Sequence, residues 1–447
     1  MNKYIYSLSN YHAIDKAEII IDGITVLAGE NGCGKSTLSR WLYYLVNGAV
    51  DFERFLYREY VEAVQEIVRR WNLVSRDVSR YSSDLHNMRR GIQVVAEQLE
   101  QLYKLDRFET DNIERVKELF MQALTALAEQ LYSYLKNDAS ELRKRRVASF
   151  LNIEMDDSVS LEEVIGKFQM IHENLIQKKV DVLSVCLQNR TIKDFYQIIR
   201  DEYNEKDNPP VELQFKEEGV ELLEEGCLAN IYNLRQAIYV DTPMAATSDG
   251  NDNVFWNELR DMMLSSSEKN ISVEVKLLIK RIKLLLGGEA KLMKDEKFGI
   301  QELRYVSEGE DVDIELSKVA TGMKTFAYLQ RLLQNGYLNE QTLLLIDEPE
   351  AHLHPQWIVE YARLLVWINK KIGTKIMIAS HNPDMVSALR AIAEKECILE
   401  NTHFYLAEKH NAGHRYVYND LGHSIEDIFR SFNIALDRIK LYGADSI

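Results

Sequence analysis

Between Asp51 and Glu205 the chain has the pattern of successive helices. Apolar residues recur there at three- and four-residue spacing, as in EYVEAVQEIVRRW and NIERVKELFMQALTALAEQLYSYL, which is typical of amphipathic helices. The segment contains two glycines, Gly91 and Gly166, and all six prolines of the chain come after it. Because helix breakers are few, we predict a set of α-helices that ends near residues 206–210. No heptad repeat is long enough for an extended coiled coil.

The flanking segments have a different pattern, in which short apolar runs end in polar residues. AEIIIDGITVLAGENG predicts two short strands followed by a glycine-rich loop. QAIYVDTP (residues 236–243), LLLID (343–347) and KIMIAS (375–380) are typical of inner strands of a sheet covered by helices. The predicted fold class is therefore α/β, with a core that is split by a large all-helical insertion. Its expected domains are an N-terminal core segment, an insertion and a C-terminal core segment, at residues 1–50, 51–206 and 207–447.

Composition narrows the class of protein. The chain has 447 residues, 46% of them apolar, and a net charge of −16. Such a charge argues against a protein that binds nucleic acid over much of its surface, although it is compatible with a local basic groove. The four cysteines lie far apart without a CxxC pair, and no stretch is long and apolar enough for a signal or membrane segment. We expect a cytoplasmic protein that does not contact a membrane.

A phosphate-binding loop follows the second predicted strand. GENGCGKS, residues 29–36, matches GxxxxGK[ST] and lies between the strand GITVLA and the helix STLSRWLYYLVN. Glycines allow the backbone N–H groups to surround a phosphate, and the following helix adds its partial positive charge. The residues expected to bind ATP here are Gly29, Asn31, Gly32, Gly34, Lys35, Ser36 and Thr37. Among them, Lys35 would reach the β- and γ-phosphates, and Ser36 would be a ligand of Mg²⁺.

Two adjacent acids follow the strand LLLI. A Mg²⁺–nucleotide site requires a carboxylate at the end of a neighbouring strand, and Asp347 meets that requirement as the predicted metal ligand. Glu348 follows it, and we expect this residue to polarise the attacking water. An ordinary solvated turn is the alternative for an acid pair alone. The P-loop earlier in the chain favours the catalytic interpretation.

GENGCGKS together with LLLIDEPEAHLHP resembles the ATP-binding cassette ATPases of the SMC/RecF/OLD type. The resemblance covers both core segments but not the insertion. It implies that the two segments form an ABC-type P-loop NTPase head, which the large all-helical insertion splits. It also implies catalysis by two heads that sandwich ATP, hence a homodimer or a higher homo-oligomer. It assigns Asp347 to Walker B and Glu348 to the catalytic base. His381, in IASHNPDMV, matches the switch histidine.

The resemblance also places residues at the seam between two heads. It assigns PEAHLHP to the loop that crosses the seam, which makes His352 and His354 seam residues. A zinc site is the alternative for this His-x-His pair, but no third ligand lies nearby in the sequence. A coupling loop with a glutamine is also implied; Gln65 and Gln93 are among several candidates.

The signature segment of the family is matched in part. KVATGMKTFAYLQRLL lies just before Walker B, and its Gly322 and Lys324 match the signature. Ala320 stands where the family has a serine that touches the γ-phosphate, which puts efficient hydrolysis in doubt. Thr321, the next residue, is the alternative source of that hydroxyl.

Three functions are compatible with these motifs. The insertion disfavours the ATP-binding subunit of a membrane transporter, which by resemblance keeps Walker A and Walker B close together. A DNA-repair ATPase of RecF character is the second. The third and preferred function is the ATPase subunit of a two-component antiphage system, because the motif combination looks like the ATPases of Septu and OLD-like systems. No DxD pair follows His381, so we expect a separately encoded effector nuclease.

Direct contact with DNA is the least specific of these expectations. ELRKRRV (residues 141–147) is a basic cluster, and residues 54–90 carry eight Arg against five acids. Most charge runs are solvated helix faces. If these residues bind DNA, they should do so through phosphates and without reading bases.

Overall fold

The computed structural model describes residues 2–78, 93–94, 97, 110–137, 145, 149, 160–242, 253–265, 271–294, 301–307, 312–410 and 414–430. The chain forms two compact units. The head unit comprises residues 1–50 and 195–447, and the helical unit comprises residues 51–194. No described helix is long and apolar enough to cross a membrane.

The predicted α/β class is confirmed by the head unit. Of its described strands, ten form one sheet in the order β5-β4-β1-β2-β15-β14-β3-β13-β12-β8. Their bounds are β1 Tyr4–Tyr11, β2 Ile14–Ile21, β3 Ile24–Ala28, β4 Glu212–Glu217, β5 Val220–Glu221, β8 Gln236–Val240, β12 Thr342–Asp347, β13 Lys375–Ser380, β14 Thr402–Lys409 and β15 Tyr416–Asp420. Strands β14, β3, β13, β12 and β8 run parallel, whereas β1 pairs antiparallel with β2 and β4.

The parallel centre of this sheet is the core of the head. Every residue of β3, β12 and β13 is buried, as expected for parallel strands covered on both faces. The helices of the head are α1 Lys35–Val50, α6 Val254–Leu264, α7 Val273–Leu286, α8 Thr321–Gln334, α9 Pro355–Ile372 and α10 Pro383–Lys395. Since parallel strands end at the same edge, the loops after β3, β12 and β13 lie side by side.

Smaller elements complete the head. Strands β9 Gly288–Lys294, β10 Gln301–Ser307 and β11 Asp313–Glu315 form a three-stranded antiparallel sheet. Strands β6 Leu223–Glu224 and β7 Cys227–Leu228 form a short hairpin. The sequence patterns did not predict these sheets.

Within its described residues, the helical unit contains three long helices, α2 Phe52–Val78, α3 Thr110–Asn137 and α4 Leu161–Asn189. Trp71, Phe120 and Phe168 are fully buried in it. The rings of Trp71 and Phe120 lie 4.6 Å apart. Of the basic cluster at residues 141–147, only Arg145 falls within the described residues, as an exposed helical residue.

Helix α5, Ile192–Tyr203, begins in the helical unit and continues into the head. Its Phe195 packs against Gly48, and the ring of Tyr203 lies 5.0 Å from that of Tyr44. The boundary between the units therefore falls at residues 194 and 195, whereas the sequence placed the end of the insertion at residue 206. The helix carries no glycine or proline at the boundary, so the pattern contains no signal for it.

Candidate functional site

The glycine-rich loop joins β3 to α1 at the carboxyl edge of the sheet. Gly32 and Gly34 have φ of 81° and 98°, in the left-handed region that favours glycine. A Cβ on Gly34 would lie 2.7 Å from Cγ1 of Ile14, so the neighbouring strand also requires glycine there. Lys35, the first residue of α1, is buried, and its Nζ donates to the carbonyls of Gly29 and Glu30 at 2.9 and 3.1 Å.

A cavity of about 550 Å³ lies at this loop. The sequence-predicted residues that line it are Asn31, Gly32, Gly34, Lys35, Ser36, Thr37 and Glu348. The loop and the acid pair, more than three hundred residues apart in the chain, are therefore neighbours. His12, Ala13 and Ala379 also line the cavity. No local sequence pattern indicated His12 and Ala13, because the turn between β1 and β2 reaches the loop only in the folded sheet.

The carboxylate of Asp347 is fixed at the end of β12. It is 6% exposed, and its Oδ1 and Oδ2 accept from Ser39 Oγ and Tyr239 OH, both at 2.8 Å. Burial raises the pKa of the Asp347 carboxyl, and hydrogen bonds from Ser36, Ser39 and Tyr239 oppose that shift. Ser39 lies one helical turn after Lys35, so its position was available from the sequence. The contact of Tyr239 depends on the neighbouring strand β8 and was not.

These side chains fit Mg²⁺ rather than zinc. A serine hydroxyl and a carboxylate are the hard oxygen ligands that Mg²⁺ prefers, and Ser36 and Asp347 are themselves in hydrogen-bonding contact. Within the described residues no group of three or more His, Cys, Asp or Glu could hold a metal ion. His354 instead caps α9, where its side chain accepts from the Gln356 amide.

Glu348 and His381, the two predicted catalytic residues, lie together. Glu348 has a φ of 45°, and its N–H donates to the carbonyl of Ala379 at 2.8 Å. The turn directs its carboxylate to His381, whose Nδ1 lies 3.1 Å from Glu348 Oε1. Both side chains are a little less than half exposed. A carboxylate and an imidazole thus stand at the ends of adjacent strands. Glu348 lines the cavity, whereas His381 is not among the described residues that line it.

The signature segment lies elsewhere in the head. Thr321 opens α8 and Gly322 follows it. A Cβ on Gly322 would lie 3.0 Å from the carbonyl oxygen of His352, so the segment packs closely on the loop after β12. Lys324 is buried, its Nζ donates to the Ser317 carbonyl at 2.7 Å, and burial lowers its pKa. None of the three predicted signature residues is among the described residues that line the cavity.

Two further acids near Asp347 were not anticipated. Asp241 follows β8, which pairs with β12 up to Val240 and Ile346. Its carboxylate accepts from the indole N–H of Trp256 at 2.7 Å, and burial raises its pKa. Glu350 lies in the turn after β12 and is 6% exposed. The candidate coupling residues Gln65 and Gln93 both lie in the helical unit.

A family model for the AAA ATPase domain matches residues 6–386. The chain belongs to the AAA ATPase domain family. Membership of this family supports nucleotide binding and ATP hydrolysis, and it agrees with the resemblance to ATP-binding cassette ATPases found in the motifs.

Several solved structures are similar to this AAA ATPase domain protein at low identity. An Smc head domain from Pyrococcus furiosus, bound to the C-terminal domain of ScpA, is 11% identical over 98% of this chain and 100% of its own, with a TM-score of 0.35. An Smc head domain from Pyrococcus yayanosii is 12% identical over 97% and 99%, with a TM-score of 0.36. An ATP-binding cassette of an ABC transporter in its ADP conformation is 10% identical over 97% and 98%, with a TM-score of 0.34. The family match, rather than these likenesses, carries the assignment.

Proposed function

We propose that this AAA ATPase domain protein binds ATP with Mg²⁺ at the loop of residues 29–37 and hydrolyses it. One observation carries the proposal. A single cavity is lined both by the phosphate-binding loop and by Glu348, and Asp347, next to Glu348, is held beside that loop. Chance would not bring a complete GxxxxGK[ST] loop and an acid pair from a distant strand to the same place.

Binding would use groups that are already oriented. Lys35 Nζ donates to two loop carbonyls and would exchange them for β- and γ-phosphate oxygens, which are stronger acceptors. The N-terminus of α1 favours the negative charge. Ser36 and Asp347 would hold Mg²⁺, which when bound neutralises charge that develops on the phosphate oxygens.

Hydrolysis would use the pair at the ends of β12 and β13. Glu348 would accept a hydrogen bond from the attacking water and orient it toward the γ-phosphorus. His381 would contact the γ-phosphate through the ring nitrogen that does not face Glu348. The water oxygen bonds to the γ-phosphorus while its proton passes to Glu348. The bond between the β,γ-bridging oxygen and the γ-phosphorus breaks, and ADP leaves with the electron pair.

A second copy of the chain would complete the site. Thr321, Gly322 and Lys324 are not among the described residues that line the cavity, and Gly322 packs on the loop after β12. The sandwich arrangement of the resembling family supplies such residues from the opposite head. We therefore propose a homodimer, or a higher homo-oligomer built from it, that closes on two ATP molecules.

At the level of the cell, we propose that this clamp is the ATPase subunit of a two-component bacterial antiphage system. In this system it would control a separately encoded effector nuclease. The support is the resemblance of residues 319–338, 342–357 and 380–386 to the ATPases of such systems. A RecF-like role in DNA repair is the alternative, and the net charge of −16 gives it less support.

The experiment that tests ATP hydrolysis compares wild type with Glu348→Gln and Lys35→Ala. The Gln variant should bind ATP, release no phosphate and accumulate as a dimer, because the amide keeps the shape and loses the basicity. Lys35→Ala should not bind a fluorescent ATP analogue. A phosphate-release assay measures turnover, size-exclusion chromatography with light scattering measures the dimer, and titration with the fluorescent analogue measures binding. The exposed Glu394→Gln variant is the matched control. Normal turnover of Glu348→Gln would contradict the assignment.

The two-component proposal is tested with the chain by itself. A two-metal nuclease requires several carboxylates around metals about 3.5–4 Å apart, and the described residues contain no such cluster. Plasmid, phage and transfer-RNA substrates should therefore remain intact when the purified chain is added with ATP and Mg²⁺ or Mn²⁺. Cleavage that persists in Glu348→Gln would place a nuclease inside this chain.

A further inference from the structure

Glu350 is a buried acid to which neither the motifs nor the proposed chemistry gives a role. It lies two residues after Glu348, is 6% exposed, and is absent from the described lining of the cavity. Its Oε1 accepts from Ser380 Oγ at 2.8 Å and from the backbone N–H of His381 at 3.3 Å. The same oxygen lies 3.8 Å from Nδ1 of the His381 ring.

The other carboxylate oxygen of Glu350, Oε2, is buried and has no hydrogen-bond partner in the part of the chain that the structure describes. Burial raises the pKa of this carboxyl, and the hydrogen bond from Ser380 only partly opposes the shift. An unpartnered buried carboxylate oxygen destabilises a fold, and such a group in a native protein requires an explanation.

The bonds of Glu350 connect the two predicted catalytic residues. Glu350 lies in the turn that begins with Glu348, where the Leu353 N–H donates to the Glu350 carbonyl. Through Ser380 and His381 its side chain reaches the end of β13. Ser380 Oγ in turn accepts from the N–H of Asn382, which caps α10. The two carboxylates, Glu348 at 3.1 Å and Glu350 at 3.8 Å, thus face the same ring nitrogen of His381.

We propose that Glu350 is a positioning residue for hydrolysis. It holds His381 with Nδ1 toward the carboxylates, which leaves Nε2 as the nitrogen for the γ-phosphate. The inference rests on the proposed function, because it assigns to Glu350 an effect exerted through His381.

A double-mutant cycle tests whether Glu350 acts through His381. The variants are Glu350→Gln, Glu350→Ala and His381→Ala, together with the double variant Glu350→Gln/His381→Ala. Single-turnover ATP hydrolysis is measured with enzyme in excess, and ATP affinity is measured separately. Circular dichroism verifies that each variant is folded. Glu217→Gln is the matched control, since Glu217 is also a buried acid that accepts backbone N–H groups, but it lies on β4, far along the sheet.

The expected result is a loss of rate without a loss of ATP affinity. Glu350→Ala removes the acceptor for Ser380 and His381 and should slow hydrolysis about 10- to 100-fold, the effect of losing hydrogen bonds to a charged group. Glu350→Gln keeps an acceptor oxygen and should lose less. In the His381→Ala background, Glu350→Gln should cause no further loss, and the rate of Glu217→Gln should match that of wild type.

Two results would overturn the inference. If the losses multiply in the double variant, Glu350 acts independently of His381. If Glu350→Gln, although folded, has the rate of wild type, Glu350 does not position His381. Failure of the proposed function itself would be distinguishable from both results. In that case the wild-type protein would show no phosphate release that is lost in Glu348→Gln.

Discussion

Replacing Tyr239 by phenylalanine tests how firmly the fold holds Asp347. The substitution removes one hydroxyl, which donates at 2.8 Å to Asp347 Oδ2 from a side chain that is 4% exposed. Because Asp347 is itself only 6% exposed, water replaces that hydroxyl poorly. Loss of a hydrogen bond to a charged, buried acceptor costs about 1.5–3 kcal/mol. We therefore expect the free energy of unfolding at pH 8 to fall by about 2 kcal/mol.

Urea denaturation followed by circular dichroism measures this change, and an unchanged m-value would show that the extent of unfolding is the same. Tyr361→Phe is the control, because its buried hydroxyl pairs with the neutral hydroxyl of Tyr328 and should cost only about 1 kcal/mol. Equal losses in the two variants, or a loss below about 0.5 kcal/mol for Tyr239→Phe, would refute the reasoning. If Asp347 binds Mg²⁺ as proposed, Tyr239→Phe should also weaken ATP binding with Mg²⁺ present, but not with a chelator.

Three further predictions concern the loop, the buried acid and the helical unit. Gly34→Ala should weaken ATP binding, measured by titration, more than Gly32→Ala does. A Cβ at Gly34 would meet Ile14, whereas no described atom lies within 4 Å of a Cβ at Gly32. Because the pKa of Glu350 is raised in the folded state, the folded state binds the Glu350 proton more tightly than the unfolded state does. The contribution of Glu350 to the free energy of unfolding therefore declines as pH rises. The free energy of unfolding of Glu350→Gln, relative to wild type, should therefore be higher at pH 8 than at pH 5 in urea titrations. Trp71→Ala should destabilise the helical unit by about 3–5 kcal/mol by the same method, because Trp71 is fully buried.

The parts of the site that were predicted from the sequence are those with a local signal. The loop at Gly29 to Ser36 lies between a strand and a helix, and Asp347 ends a strand, as the patterns indicated. The residues that hold Asp347 were missed because they depend on distant segments. Tyr239, for example, approaches it only because β8 pairs with β12.

In the fold, too, the elements with a local sequence pattern were predicted, and the pairings between distant segments were missed. The inner strands β8, β12 and β13 carry continuous apolar runs and were identified from them. Strands β14 and β15 lie between β2 and β3 although they come at the end of the described chain, and no local pattern specifies such a pairing. Helix α5 crosses the boundary between the units without a break in its periodicity, which is why the predicted boundary lay beyond it.

The position of β3 in the sheet has a consequence for the order in which the protein is made. This strand carries the nucleotide loop, yet both of its neighbours in the sheet, β13 and β14, come more than three hundred residues later in the chain. At about 5–20 residues per second, roughly 20–80 s separate the synthesis of β3 from that of β14. During that interval the loop has no sheet to hold it. A nascent or truncated chain that lacks β14 should therefore carry the full phosphate-binding sequence and still be unable to bind ATP.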